Sequence, residues 1–220
     1  NGPVTREEAQ AIADKLLNEK RKKGYTDDGS GAAYSGVEFA GRDTGYRTQL
    51  LEHVEEGQTE RLLADPAWGM QEKYNGERRL IVMIPGEQVF GTNRDGLRVA
   101  INDDLANVIV GRIPVTGETV IDGEDFGSTF APYDLLKLNG VDLRDRPYSE
   151  RLALLEQLIA DAPEFPRPYT YRTEAQKRQM YAQLRDGGFE GVVFKLMSAP
   201  YTPGKAGKSS TQFKEIGRAS

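Results

Sequence analysis

From residue 68 to residue 216 the chain is cut into short apolar runs by glycine and proline, and this limits the possible fold more than any other feature. Residues 68–72, 78–84 and 88–91 read as strands closed by turns, as do 119–123, 129–138, 168–172, 191–196 and 211–216. Stretches with helical spacing are fewer. They are 102–110, then 149–160 with Leu152, Leu155, Leu158 and Ile159 as its buried stripe, then 173–184, ended by Asp186-Gly-Gly188. Strands outnumber helices without strict β-α alternation. The expected class is α+β, with mainly antiparallel sheets flanked by helices.

Upstream, Thr5-Arg-Glu-Glu8 fits a capping box, and Ala9, Ile12, Ala13, Leu16 and Leu17 form one apolar stripe. That helix ends in Lys20-Arg-Lys-Lys-Gly24, where late cations complement the helix dipole and Gly24 suits the C′ position. The basic cluster fits a solvated helix end or a nucleic-acid contact. Residues 26–45 are rich in Gly, Ser, Asp and Ala and read as a linker or wrapping loop. Residues 46–64 are helical in flavour through Leu50, Leu51, Val54, Leu62 and Leu63, and Pro66 stops them. His53 is then an exposed helix residue. The organisation expected is residues 1–45 as a basic helix and linker and residues 46–220 as the main domain.

The chain has 220 residues, 38% hydrophobic and 29% charged, enough for one domain with a substantial core. It has no apolar run near the length of a membrane span and no visible signal peptide. It has no cysteine and one histidine. Disulfides, thiolate metal sites and cysteine nucleophiles are excluded, a zinc site is disfavoured, and a reducing setting, cytoplasmic or nucleoid-associated, fits. The net charge of −5 means that any grip on DNA must come from a local basic patch.

The chemistry-bearing stretch is Gln71-Glu-Lys-Tyr-Asn-Gly-Glu-Arg78. It sets one lysine, Lys73, ahead of a glycine that permits close approach. A lysine amine attacks only when neutral, so its surroundings must lower its pKa. Further phrases follow in order. Gly91-Thr-Asn-Arg-Asp-Gly96 puts Arg94 in a tight turn, and Ile121-Asp-Gly-Glu124 brings two acids to a strand end. Tyr133 is an aromatic within a strand. Glu190-Gly-Val-Val-Phe-Lys195 flanks an apolar strand with an acid and a lysine, and Gln212-Phe-Lys214 closes the series. Taken singly, Tyr133 also fits plain core, and Glu124 and Glu190 fit surface strand ends. Gly204-Lys-Ala-Gly-Lys-Ser209 lacks P-loop spacing and reads as a flexible loop.

Together these phrases resemble the covalent nucleotidyltransferases: ATP-dependent DNA ligases, RNA ligases and mRNA capping enzymes. Lys73-Tyr-Asn-Gly-Glu-Arg78 is similar to motif I, Ile121-Asp-Gly-Glu124 to motif III, and Tyr133 to the aromatic of motif IIIa. Glu190-Gly-Val-Val-Phe-Lys195 is similar to motif IV, and Lys214 falls in motif V. The resemblance covers residues 66 to 216, and five motifs in order make it specific. Tyr133-Asp-Leu-Leu-Lys-Leu-Asn-Gly140 with Asp142-Leu-Arg-Asp-Arg-Pro147 is most similar to the adenylation domain of ATP-dependent DNA ligases. Glu72 before Lys73 resembles one RNA-ligase branch, so RNA ends stay open as substrate. The end of the first helix resembles the close of a WGR domain.

The resemblance implies an ATP-grasp-like nucleotidyltransferase fold, with ATP and Mg²⁺ as cofactors and nicked DNA as partner for a monomer. It implies that Lys73 attacks the α-phosphate of ATP and that Lys214 supplies fixed positive charge. Gln71, Glu72, Arg78, Arg94, Glu124, Tyr133 and Lys195 would form the ATP site. Within it Tyr133 stacks on adenine, Glu124 accepts a ribose hydroxyl, and Arg94 also suits a 5′-phosphate. Glu190 and Glu124 would hold the metal. Three departures stand out. Asn75 replaces the usual aspartate, Lys214 lacks the second lysine of motif V (Gln212 or Ile216 stands there), and no OB-fold domain follows. They keep a second class open, an idle nucleotide- or DNA-binding module.

Overall fold

The computed structural model describes residues 39–55, 57–186, 190–204 and 210–216. The proposed helix of residues 5–24, its basic end, most of the linker and the 205–209 loop lie outside the described residues.

Ten strands and four helices are described. In chain order they are β1 (Glu52–His53), α1 (Gln58–Ala64), β2 (Trp68–Glu72), β3 (Glu77–Met83), β4 (Phe90–Thr92), β5 (Arg98–Val99) and α2 (Asp103–Arg112). There follow β6 (Thr119–Asp125), β7 (Phe130–Leu138), β8 (Val141–Asp142), α3 (Tyr148–Leu158), α4 (Glu174–Asp186), β9 (Gly191–Leu196) and β10 (Gln212–Ile216). They form a six-stranded sheet in the order β5-β4-β3-β6-β7-β8 and a four-stranded sheet in the order β1-β10-β9-β2. All pairings are antiparallel except β1 with β10. The fold is the α+β class expected, with both sheets flanked by helices.

The six-stranded sheet buries apolar side chains on both faces, because the Leu80–Met83 run of β3 and the Val120-Ile121 pair of β6 send neighbouring side chains to opposite sides. On β3, Ile81 and Met83 join Ile121 and Leu135 under Leu105 and Ile109 of α2 and Leu155 of α3. Leu80 and Val82 join Val120, Leu136, Phe90 and Tyr201 on the other face. Each such side chain contributes about 1.5–3 kcal/mol on burial. Helix α2 starts where Asn102 accepts from the backbone N–H groups of Asp104 (2.9 Å) and Leu105 (3.2 Å). Asn139 and Gly140 both take positive φ (49° and 87°), the geometry of a two-residue hairpin turn. The turn inserts β8 between β7 and α3, where the sequence indicated only a connection.

The four-stranded sheet has a separate core of Trp68, Met70, Val192 and Phe194 against Leu62 and Leu63 of α1. Met180 and Tyr181 of α4 pack on the same core. Lys177 of α4 is buried there and donates to the carbonyls of Leu62 (2.8 Å), Asp65 (2.7 Å) and Trp68 (3.0 Å), closing the end of α1.

Three expectations need correction. Residues 46–64 are not one helix: helix begins at Gln58, and Glu52–His53 is a strand on the edge of the smaller sheet. Gly45 and Gly57, both at φ 76°, bracket an extended segment, and the backbone of that segment bonds to distant partners. Leu50 donates to Gly204 O (2.9 Å) and Val54 to Lys214 O (3.0 Å). His53 is therefore an exposed strand residue. Residues 168–172 contribute only a two-way bridge between Tyr171 and Met70. Leu158, read as fully buried, is half-buried.

Candidate functional site

A cavity of about 550 Å³ is lined from both sheets. Gln71, Glu72, Val193, Lys195, Gln212, Lys214 and Glu52–His53 belong to the smaller one, with Leu50 and Leu51 leading into it, and Arg78, Glu124 and Tyr133 belong to the larger. All ten residues proposed from sequence line it: Gln71, Glu72, Lys73, Arg78, Arg94, Glu124, Tyr133, Glu190, Lys195 and Lys214.

Lys73 directly follows β2, and its backbone N–H donates to Gly191 O (2.9 Å), extending the β2–β9 ladder by one step. This places its side chain beside Glu190, which directly precedes β9. Nζ of Lys73 forms an ion pair with Oε1 of Glu190 and also donates to Tyr74 O (3.4 Å). Oε2 of Glu190 is buried and takes no hydrogen bond. Gly191 permits this approach, since a Cβ there would fall 2.0 Å from Glu215 O. Gly76 is equally constrained: a Cβ would meet Cγ of Glu124 at 2.8 Å and Asp125 O at 2.9 Å. Its N–H donates to Oε1 of Glu124 (3.1 Å), tying the lysine loop to the end of β6.

Arg78 forms a fork with Asp122, Nε to Oδ1 at 3.0 Å and Nη2 to Oδ2 at 2.6 Å, and Nη1 donates to Gln49 O. Burial works against its charge, but Asp122 together with Tyr133 and Tyr201 outweighs this and holds its pKa well above the ordinary value. Tyr201 closes the network. Its hydroxyl donates to Oδ2 of Asp122 (2.8 Å) and accepts from the Gln49 N–H (2.9 Å). The Gln49 carboxamide is fully buried; Oε1 accepts from Gln212 Nε2 (3.3 Å), and Nε2 donates to Oγ1 of Thr211 (2.9 Å). Gln212, a candidate position for a second lysine, is thus a buried amide clamp on the 49–53 strip.

Burial raises the pKa of Glu124, against the Gly76 N–H and the nearby Lys73 and Arg78 charges. Burial likewise raises Glu72 and drives Tyr133 well above its ordinary value. The Tyr133 hydroxyl lies 3.5 Å from Oε2 of Glu124. Lys195 is 4% exposed, with Nζ 4.5 Å from the ring centres of both Tyr133 and Tyr148. Burial lowers its pKa to about 8, although Asp134 and Asp122 oppose the shift. Arg94 is exposed on the β4–β5 turn and reaches the cavity and a smaller cleft of about 180 Å³ beside it. Lys214 is half-buried on β10, opposite His53 and Val193.

Among the described residues no cluster of three or more His, Cys, Asp or Glu could hold a metal. A caged metal is therefore not supported. The free, buried Oε2 of Glu190 does suit a hard cation that takes one or two carboxylates and completes its shell with phosphate oxygens and water.

Sequence reasoning missed the wall at residues 49–53, the anchors Asp122 and Tyr201, and Tyr148 under the floor. The glycines at 45 and 57 were the available signal for the wall.

Residues 125–214 match the family model of the ATP-dependent DNA ligase domain. The chain is similar to a DNA ligase of Methanoculleus marisnigri, 40% identical over 78 residues, which is 34% of this chain and 14% of that protein. A DNA ligase of Natronomonas pharaonis is 33% identical over 120 residues, 52% of this chain and 21% of that protein. The chain thus spans only 14% and 21% of these two curated relatives. Among solved structures, mycobacterial DNA ligase D complexed with ATP and MES matches with TM-score 0.57 and 25% identity, over 78% of this chain and 60% of that one. The ATP-dependent DNA ligase of bacteriophage T7, in complex with ATP, matches in fold with TM-score 0.52 and 17% identity, over 77% of this chain and 68% of that one.

Proposed function

We propose that this chain, which carries the adenylation domain of the ATP-dependent DNA ligases, forms lysyl-AMP on Lys73 and passes the AMP to the 5′-phosphate of a DNA nick. The observation that carries the reading is the convergence of Lys73, Glu190, Arg78, Glu124, Tyr133, Lys195 and Lys214 on one cavity. Lys73 is the nucleophile. Its proton lies against Glu190, and loss of that proton frees the amine to attack the α-phosphate. The N–P bond forms as the bond to pyrophosphate breaks, and AMP stays on Nζ. Lys214 and Lys195 place fixed charge where phosphate negativity develops. Tyr133 and Glu124 bind the adenosine, and Gln71 and Glu72 line the same cavity. Arg78 is held rigid by Asp122, whereas Arg94 on its exposed turn is the group for the 5′-phosphate of the strand.

Glu190, with Glu124 as the second carboxylate, would hold Mg²⁺, which when bound neutralises phosphate charge. The partner is nicked DNA, the acting form a monomer, and the setting cytoplasmic. Among the described residues no helix is long and apolar enough to cross a membrane.

Denaturing mass spectrometry after incubation with ATP and Mg²⁺ tests the reading. The chain is expected to gain the mass of one AMP, and the Lys73→Ala variant to gain none. Absence of the adduct, together with failure to seal preadenylated nicked DNA, would leave the idle binding module in its place.

A further inference from the structure

Tyr148, the first residue of α3, reaches beneath the cavity floor and is 1% exposed. Its hydroxyl is saturated. It donates to Tyr133 O (2.9 Å) and accepts from Gln71 Nε2 (3.0 Å) and Lys195 Nζ (3.3 Å). A tyrosine hydroxyl has one hydrogen to give and two lone pairs, so all its capacity goes to three residues that line the cavity. Gln71 spends its second amide hydrogen on Oγ1 of Thr170 (2.8 Å). Lys195 also donates weakly to Tyr133 O (3.5 Å), and none of the described carboxylates pairs with it. An ammonium has three hydrogens, and two are occupied by tyrosine oxygens. The third remains for an anion in the cavity.

From this placement we infer that Tyr148 is a positioning residue of the nucleotide site: it holds the Lys195 ammonium so that its remaining N–H serves a phosphate oxygen of ATP. The inference rests on the adenylation reading above. A lysine stem has four rotatable bonds, and a buried ammonium without a carboxylate partner needs neutral oxygens and aromatic faces to stay in one place. Tyr148 supplies one of each, with its ring centre 4.5 Å from Nζ.

The test is equilibrium binding of ATP to the full chain without divalent metal, so that no chemistry intervenes. Wild type, Tyr148→Phe, Lys195→Met and the double variant form a cycle. Tyr148→Phe keeps the ring and removes the hydroxyl; it is expected to weaken ATP binding about tenfold, the worth of a hydrogen bond to a charged group. In the Lys195→Met background the same change is expected to cost nothing further. Equal losses in both backgrounds would assign Tyr148 a merely structural role and overturn the inference, as would no loss in either. Should the phenylalanine variant unfold, 3-fluorotyrosine at this position keeps the shape and weakens the hydroxyl as an acceptor, and it is expected to order the variants alike. The AMP adduct separates the two levels: a wild type that binds ATP but forms no adduct sinks the adenylation reading, while the cycle still decides the place of Tyr148.

Discussion

In the six-stranded sheet the buried arginines are paired before any ligand arrives; in the four-stranded sheet the lysines that line the cavity are not paired with any described carboxylate. On the larger sheet Asp134 of β7 is paired with Arg151 of the overlying helix α3, both 1% exposed, Arg78 is forked with Asp122, and Arg79 pairs with Glu77 and Asp125. No described strand residue of the smaller sheet takes part in an ion pair, yet Lys195 and Lys214 line the cavity from it. The difference separates two tasks that one site must do. A scaffold that recognises a nucleoside needs fixed dipoles and planes, which closed charge networks provide. A surface that receives a triphosphate needs cations whose partner is still missing. Lys73 stands at the seam, paired with a carboxylate from the end of the smaller sheet while its loop is tied to Glu124 of the larger.

Breaking a closed network should cost stability, and removing an open cation should cost affinity. The largest effect is expected from Arg151→Met. It strands the Asp134 carboxylate in the core and should destabilise the fold by about 3–5 kcal/mol, read from denaturant unfolding. A loss below 1 kcal/mol would show that Asp134 finds another partner and that the larger sheet is less closed than described.

Tyr201→Phe is intermediate. It removes a donor from Asp122 and an acceptor from the Gln49 N–H, with an expected loss of about 1–3 kcal/mol. Because the network also fixes the 49–53 wall, KM for ATP should rise more than kcat falls. A pure stability loss with unchanged KM would detach the wall from the site.

The third test sharpens the other side of the comparison. Lys195 has an ordinary pKa of 10.5 and a folded value of about 8, because burial penalises its charge. Between these values the unfolded chain binds the extra proton. Its contribution to stability is therefore full above 10.5 and is lost as pH falls through about 8. Wild type should gain stability relative to Lys195→Met as pH rises across this window, while its ATP affinity falls as the charge is lost. Parallel pH curves for the two proteins would place the titration elsewhere.

The contrast between the sheets also marks what the sequence made legible. The apolar runs Leu80–Met83 of β3 and Val192–Phe194 of β9 and the short apolar pieces of β6 and β7 lie between glycine and proline turns, so their strands were readable locally. So was the company of Lys73, Glu124, Tyr133, Glu190, Lys195 and Lys214, because ordered phrases carried a family resemblance. The 49–53 wall was not readable. Leu50, Leu51 and Val54 match a helical period, and what makes them extended is pairing with Gly204 and Lys214, far along the chain. Tyr148 was equally hidden: at the start of a helix it looks like any first-turn residue, and only the packing of α3 on β7 puts its hydroxyl among Gln71, Tyr133 and Lys195. Gln212 read as a missing cation; its burial against Gln49 gives that position a packing task that a charged side chain would not perform.

The parallel pairing of Glu52 with Phe213 and of His53 with Lys214 has a consequence for how the protein comes into being. These partners stand near opposite ends of the described chain, and such distant contacts form late, since loop entropy must be overcome before they reward it. The six-stranded sheet draws its strands from within residues 77–142 and can assemble while β1 still waits for β10. The cavity, lined from both sheets, is therefore expected to be among the last features the polypeptide completes. A ligand held against both margins would work as a latch across most of the described chain, favouring the closed form by mass action whether or not chemistry follows.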